Sequence, residues 1–172
     1  AQGNGSTVAA PSLQVSNLQL TGNSSTSLSL NWIPGDGSGR IIIARKDQPV
    51  TVAPVDLNNY LSSPNYGSGT LVEPDAYIVF KGAGTSVTVS NLAAGATYYF
   101  SAFEYNGSVS PVYQAAAPAT FFAATASLPV RLTGFGVRRE NVSVLINWQT
   151  ADEWNSDRFE IERSFDGRNF FA

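Results

Sequence analysis

The chain has 172 residues, 43% of them apolar and 12% aromatic, enough to pack a core in one domain or in two small ones. Only 13% are charged, the net charge is −3 and the ten basic residues form no stripe, which excludes a surface built to neutralise nucleic-acid phosphates. Histidine, cysteine and methionine are absent, so Ser-His-Asp, Cys-His and His-metal arrangements are excluded, as is a disulfide framework.

No apolar run approaches the roughly 18 to 20 residues of a membrane helix, so membrane insertion is not expected. Residues 1–11 lack the basic start and apolar run of a secretion signal, and their Gly, Asn, Ser and Thr read as a linker. Strand signals then recur with turn residues between them, while amphipathic helix periodicity is missing. A first strand, A, is expected over 13–20. Strand B covers 27–32, where Leu28, Leu30 and Trp32 alternate with Ser29 and Asn31, one face dry and one wet. Residues 34–39 form a Gly-rich turn. It lacks the lysine and following helix of a phosphate loop, and no cofactor is expected.

Strand C covers 40–46. A long loop over 48–75 carries Pro49, Pro54, Pro64 and Pro74, each incompatible with a central strand. Residues 77–81 and 85–91 read as a hairpin around Gly82 and Gly84. Strand F covers 96–105 and ends at the Asn106-Gly107 turn. Strand G covers 113–125, with an interruption at Pro118.

A boundary falls near residues 127–129. Before it, 126 residues hold 4 basic and 6 acidic side chains, whereas the last 46 hold 6 and 7. An internal repeat follows. Leu28-x-Leu30-Asn31-Trp32 matches Val144-x-Ile146-Asn147-Trp148, and Arg40-Ile41-x-Ile43-x-Arg45 matches Arg158-Phe159-x-Ile161-x-Arg163. The expected organisation is a linker at 1–11, a complete β-sandwich at 12–126, and at 127–172 the first half of a second, strands A to C.

These motifs resemble fibronectin type III modules. Trp32 and Trp148 stand where that family buries a strand-B tryptophan. Leu92-Ala-Ala94-Gly95-Ala96-Thr97-Tyr98 resembles its segment before strand F, with Ala94 in place of the proline and an extra residue between Gly95 and Thr97. The resemblance implies an all-β, immunoglobulin-like sandwich with Trp32, Leu92, Tyr98 and Phe100 in the core. It also implies a Tyr98 hydroxyl bonded to backbone upstream. Asn65-Tyr66-Gly67-Ser68-Gly69 and Tyr98-Tyr99-Phe100-x-x-Phe103-Glu104-Tyr105-Asn106-Gly107 are similar to modules of secreted Bacteroidota proteins. The segment from Leu128 to Phe170 resembles a module that lies before type IX secretion signals. An extracellular or cell-surface location follows from that resemblance.

Chemistry-bearing constellations are few. The only lysines, Lys46 and Lys81, stand at strand ends, where solvated lysines belong. Glu160 and Glu162 share one strand face beside Arg158 and Arg163, a solvated pattern. Asp152, Glu153, Asn155 and Asp157 cluster hard oxygen ligands but lack the glycine turn of a known calcium loop, so no metal is expected. Tyr60, Tyr66 and Tyr77, with Asn65, are candidate ligand or partner contacts near the long loop. The competing arrangement folds that loop back so that the rings cover the sandwich edge.

In the half module, Val144, Ile146, Trp148, Phe159 and Ile161 would form an open apolar face suited to strand complementation by another chain or a neighbouring module, giving a dimer or fibre. The sequence therefore reads as a non-catalytic spacer or adhesion and assembly unit of an exported multidomain protein. The alternative is a polysaccharide-binding or accessory module of a secreted polysaccharide-degrading enzyme.

Overall fold

A computed structural model describes residues 8–127, 131–151 and 159–171. The chain divides into two units, residues 1–126 and 127–172. In the first, β1 (Ser16–Asn23), β2 (Leu28–Ile33) and β6 (Ser86–Val89) form a three-stranded antiparallel sheet in the order β1-β2-β6. The second sheet contains β3 (Gly39–Lys46), β4 (Leu71–Glu73), β5 (Ala76–Gly82), β7 (Thr97–Asn106), β8 (Val112–Tyr113) and β9 (Ala119–Ala124). Its order is β4-β5-β3-β7, with β8 and β9 both paired to β7. This strand order, with the chain passing between two antiparallel layers, is that of a fibronectin type III or immunoglobulin-like β-sandwich.

The core between the sheets follows from alternation. Leu28, Leu30 and Trp32 point inward from β2 and meet Ile42 and Ala44 of β3 and Tyr98, Phe100 and Ala102 of β7. Each large apolar side chain buried this way contributes about 1.5–3 kcal/mol. The β3 run Ile41-Ile42-Ile43-Ala44 does not alternate, and it is buried on both faces. Ile41 and Ile43 belong to a second cluster with Ala76, Ile78, Phe103, Tyr105 and Tyr113, against which Val50, Tyr60 and Val72 of the 47–75 region pack. The long loop thus serves as a cover for the outer face of the larger sheet. A strand stretch covered on both faces favours a near-continuous apolar run.

Two segments depart from the expected pattern. Residues 77–81 and 85–91 do not pair as a hairpin. β5 joins β3 in one sheet, and β6 joins β2 in the other. The short connection crosses between layers at Gly82, whose φ of 151° favours glycine. Crossing lets each strand pair with an open edge of a different sheet. The segment 1–11 also differs from a free linker in its described part. Pro11 is buried, and the Asn106 side-chain amide donates to the Ala9 carbonyl at 3.0 Å.

The second unit contains β10 (Leu132–Glu140) and β11 (Ser143–Thr150), an antiparallel pair joined by a tight turn in which Asn141 has a φ of 54°. Residues 159–163, read as a third strand, form none. Their one described backbone pairing is the bridge between Arg163 and Phe171. In the first unit, β3 stays extended because β5 and β7 hydrogen-bond both its edges. Residues 159–162 have no such described neighbours, and an isolated strand is not stable in water.

Candidate functional site

The loop tyrosines are held in place by packing. Tyr66 is buried, with its ring edge-on to Tyr77 and to Tyr98 at 5.1 Å in each case. Its hydroxyl donates to the Asp75 carbonyl at 2.5 Å and accepts from the Lys46 amide at 3.1 Å. Burial pushes the Tyr66 phenol well above its usual range, and the negative charge of Asp75 adds to the effect. Tyr77 is half-buried against the inner core. Tyr60 is half-buried against the outer cluster, and its hydroxyl accepts from the Val55 amide at 3.0 Å. Of the two arrangements considered for the loop, the fold-back is the one formed. Asn65 alone of this group is exposed, and its backbone bridges to Ser90. Tyr66 therefore presents no free ring face, because anchoring the loop to both sheets consumes it.

Trp32, Leu92, Tyr98 and Phe100 lie in the inner core. The Ala93 amide donates to the Tyr98 hydroxyl at 2.9 Å, fixing the corner into β7. Sequence reasoning missed the polar group buried beside this core. Arg40 and Glu104 face each other across β3 and β7 with exposures of 3% and 0%. Two guanidinium N–H groups donate to the two carboxylate oxygens at 3.1 and 3.2 Å. Nη1 donates to the Ala83 and Gly84 carbonyls, so four of the five guanidinium N–H groups are used, and the Gly35 amide donates to Glu104 at 2.9 Å. With its charges paired and hydrogen-bonded, the pair clamps the 34–39 turn to both strands. A Cβ at Gly35 would sit 2.1 Å from the Leu13 carbonyl oxygen, so only glycine allows this approach. A glutamate within the apolar run of β7 is the one sequence sign of the pair.

The second unit presents an apolar face. Register places Phe135 opposite Trp148, Val137 opposite Ile146 and Arg139 opposite Val144. Directly opposed residues share a face, so Val144, Ile146 and Trp148 lie with Phe135 and Val137. Phe159 packs on Trp148 with ring centroids 5.8 Å apart, and Ile161 lines the same depression. Val144, Trp148, Phe159 and Ile161 are exposed, and Ile146 is half-buried. The contribution of Val137 becomes visible only through register.

Among the described residues no group of three or more carboxylates could hold a metal. The Asp152, Glu153, Asn155 and Asp157 cluster lies outside the described residues. No helix among the described residues is long and apolar enough to cross a membrane. The chain has no cysteine, and no cluster able to hold a metal lies among the described residues.

No family model matches the sequence, and no curated protein does. Among solved structures, the chain is similar to a computationally redesigned β-sandwich protein at 19% identity and a TM-score of 0.45, covering 67% of this chain and 97% of that one. It is also similar to a human fibronectin type III domain, the fourth of its protein, at 10% identity and 0.46, covering 78% and 94%. The FN5 domain of Drosophila Lar is similar at 18% identity and 0.41, covering 69% and 99%. The fold assignment itself rests on this chain's strand order and core.

Proposed function

We propose that the chain is a spacer and assembly segment of an exported, multidomain cell-surface protein. The first sandwich is the rigid spacer. The second unit is the assembly element, and its apolar face is closed by strands from another chain or from a neighbouring module through β-augmentation. The observation that carries this reading is the contrast between two repeats of one motif. Trp32 is 4% exposed under a facing sheet, whereas Trp148 is 38% exposed beside Phe135, Val137 and Val144. A contiguous apolar face with open strand edges is covered in a working assembly or it aggregates. The export part of the proposal is supported by the resemblance of the tyrosine-rich β7 region and of the second unit to modules of secreted Bacteroidota proteins. It is also compatible with a fold that needs no disulfide.

Light scattering on residues 1–172 beside residues 1–126 tests the assembly role. The longer chain is expected to assemble and the shorter to stay monomeric. A Val144→Lys substitution, which places a charge on the apolar face, is expected to return the longer chain to a monomer. If residues 1–172 are monomeric at all concentrations, assembly through this face is refuted and only the spacer role stands.

A further inference from the structure

The first unit carries an open groove of about 540 Å³ on the outer face of the larger sheet, lined by Pro49, Val50, Tyr99, Ser101, Thr120 and Phe122. That volume lies in the range of small-ligand sites. We propose that it is a binding site for a neutral sugar ring of a polysaccharide.

The floor consists of two opposed residue pairs on β7 and β9. Tyr99 faces Phe122, and Ser101 faces Thr120. The Tyr99 and Phe122 rings are stacked, with centroids 5.5 Å apart and planes 28° apart. Phe122 is nonetheless 65% exposed, so it offers an open ring to solvent, backed by the half-buried Tyr99. Folding leaves this ring uncovered, although the rest of the same face lies beneath the long loop. The loop passes Pro49 and Val50 and forms one wall of the groove.

Ser101 supplies the second observation. It is only 3% exposed, lines the groove, and its hydroxyl has no hydrogen-bond partner among the described residues. The Ser101 oxygen is not sealed from solvent, so a ligand hydroxyl can take the place of the water it meets in the groove.

The chemistry selects the ligand. No lining residue carries a charge. Arg45, opposite Tyr99 on β3, is engaged by the Pro49 carbonyl and the Glu73 carboxylate. Phosphates and carboxylates therefore find no counter-charge. An extended peptide binds by adding main-chain hydrogen bonds at a sheet edge. The floor here runs across β7, whose backbone is already paired to β3 on one side and β9 on the other. A pyranose matches what remains. Its C–H face lies against the electron-rich ring face, and its hydroxyls reach Ser101 and Thr120.

The test uses the full chain, with cello-, xylo-, manno- and malto-oligosaccharides as probes and amide chemical-shift changes as the readout. At least one probe is expected to shift Ser101, Thr120 and Phe122. Phe122→Ala should weaken that binding about tenfold, the loss typical of removing one stacking face from a ring ligand. Phe122→Trp should retain it. Phe122 is exposed, so both variants should unfold at the wild-type midpoint. Absence of binding by every probe overturns the proposal. So does binding that Phe122→Ala leaves unchanged, and so does capture by the groove of an alternating Val/Thr peptide when no sugar binds. Failure here leaves the assembly role of the second unit untouched.

Discussion

Two copies of one short motif have opposite surroundings in this molecule. Leu28-x-Leu30-Asn31-Trp32 and Val144-x-Ile146-Asn147-Trp148 both become strands, and each pairs antiparallel with the strand before it. In the first unit, the alternate side chains vanish beneath β3 and β7. In the second they stay largely exposed. The local pattern dictates strand formation and which residues share a face. It does not dictate burial, which requires a second layer. The same contrast holds for the downstream repeat. Arg40-Ile41-x-Ile43-x-Arg45 is the central strand of a sheet, while its counterpart at residues 159–163 is no strand at all.

The largest expected break in this symmetry comes from the two tryptophans. Trp32→Ala should destabilise the first unit by about 3–5 kcal/mol, because the side chain fills a core that cannot collapse around the void. Trp148→Ala should leave that same transition within about 0.5 kcal/mol of wild type. Urea denaturation of the two variants, followed at the first unit's aromatic residues, checks both. Equal losses would mean that the second tryptophan also supports the first unit's fold.

The next effect separates polar from apolar support. Glu104→Leu should cost about 3–5 kcal/mol, since Arg40 would remain buried without its partner. The double variant Arg40→Leu/Glu104→Leu should recover much of that loss, and a thermodynamic cycle of the three variants reads the coupling. No recovery would show that the carboxylate acts mainly through the Gly35 amide.

The smallest effect concerns the loop that covers the outer face. Glu73 is nearly buried, and its burial alone would raise its pKa. The Thr51 hydroxyl and amide, at 2.5 and 2.9 Å, and the Arg45 guanidinium, at 3.0 Å, outweigh burial and hold the carboxyl below its usual 4.5. The folded state therefore binds this proton less readily than the unfolded chain does. The resulting stability is present above pH 4.5 and is lost as pH falls through the folded value. The protection factor for hydrogen exchange at Thr51, its slowing relative to an unstructured amide at the same pH, should fall as pH drops below 4.5 in the wild type. In Glu73→Gln protection should be low at every pH. A wild-type protection factor that does not change with pH would remove Glu73 from the loop's anchoring.

Much of the first unit was legible in the sequence because alternation and turn residues are local signals. B, C and F lie within one residue of β2, β3 and β7, and the break at Pro118 separates β8 from β9. The expected hairpin at 77–91 failed for a non-local reason. Two adjacent strands suited to pairing each found a better edge in a different layer. The aromatic residues were harder to place. Tyr60, Tyr66 and Tyr77 resemble a displayed cluster when read along the chain, yet their rings pack into the fold and the Tyr60 and Tyr66 hydroxyls bond to its backbone. Half-buried Tyr99 and exposed Phe122, 23 positions apart, stack only because β7 and β9 are in register.

The sequence by itself determined the all-β class, the turns, the repeat and the exclusion of histidine and thiol chemistry, because each depends on residue type and short-range period. Only the tertiary structure decided that the long loop is a cover, that Arg40 and Glu104 form a buried clamp, and that exposed Phe122 stacks on Tyr99. These outcomes depend on which strands become neighbours. That choice is made by the total area and hydrogen bonding that packing satisfies, and not by any one segment.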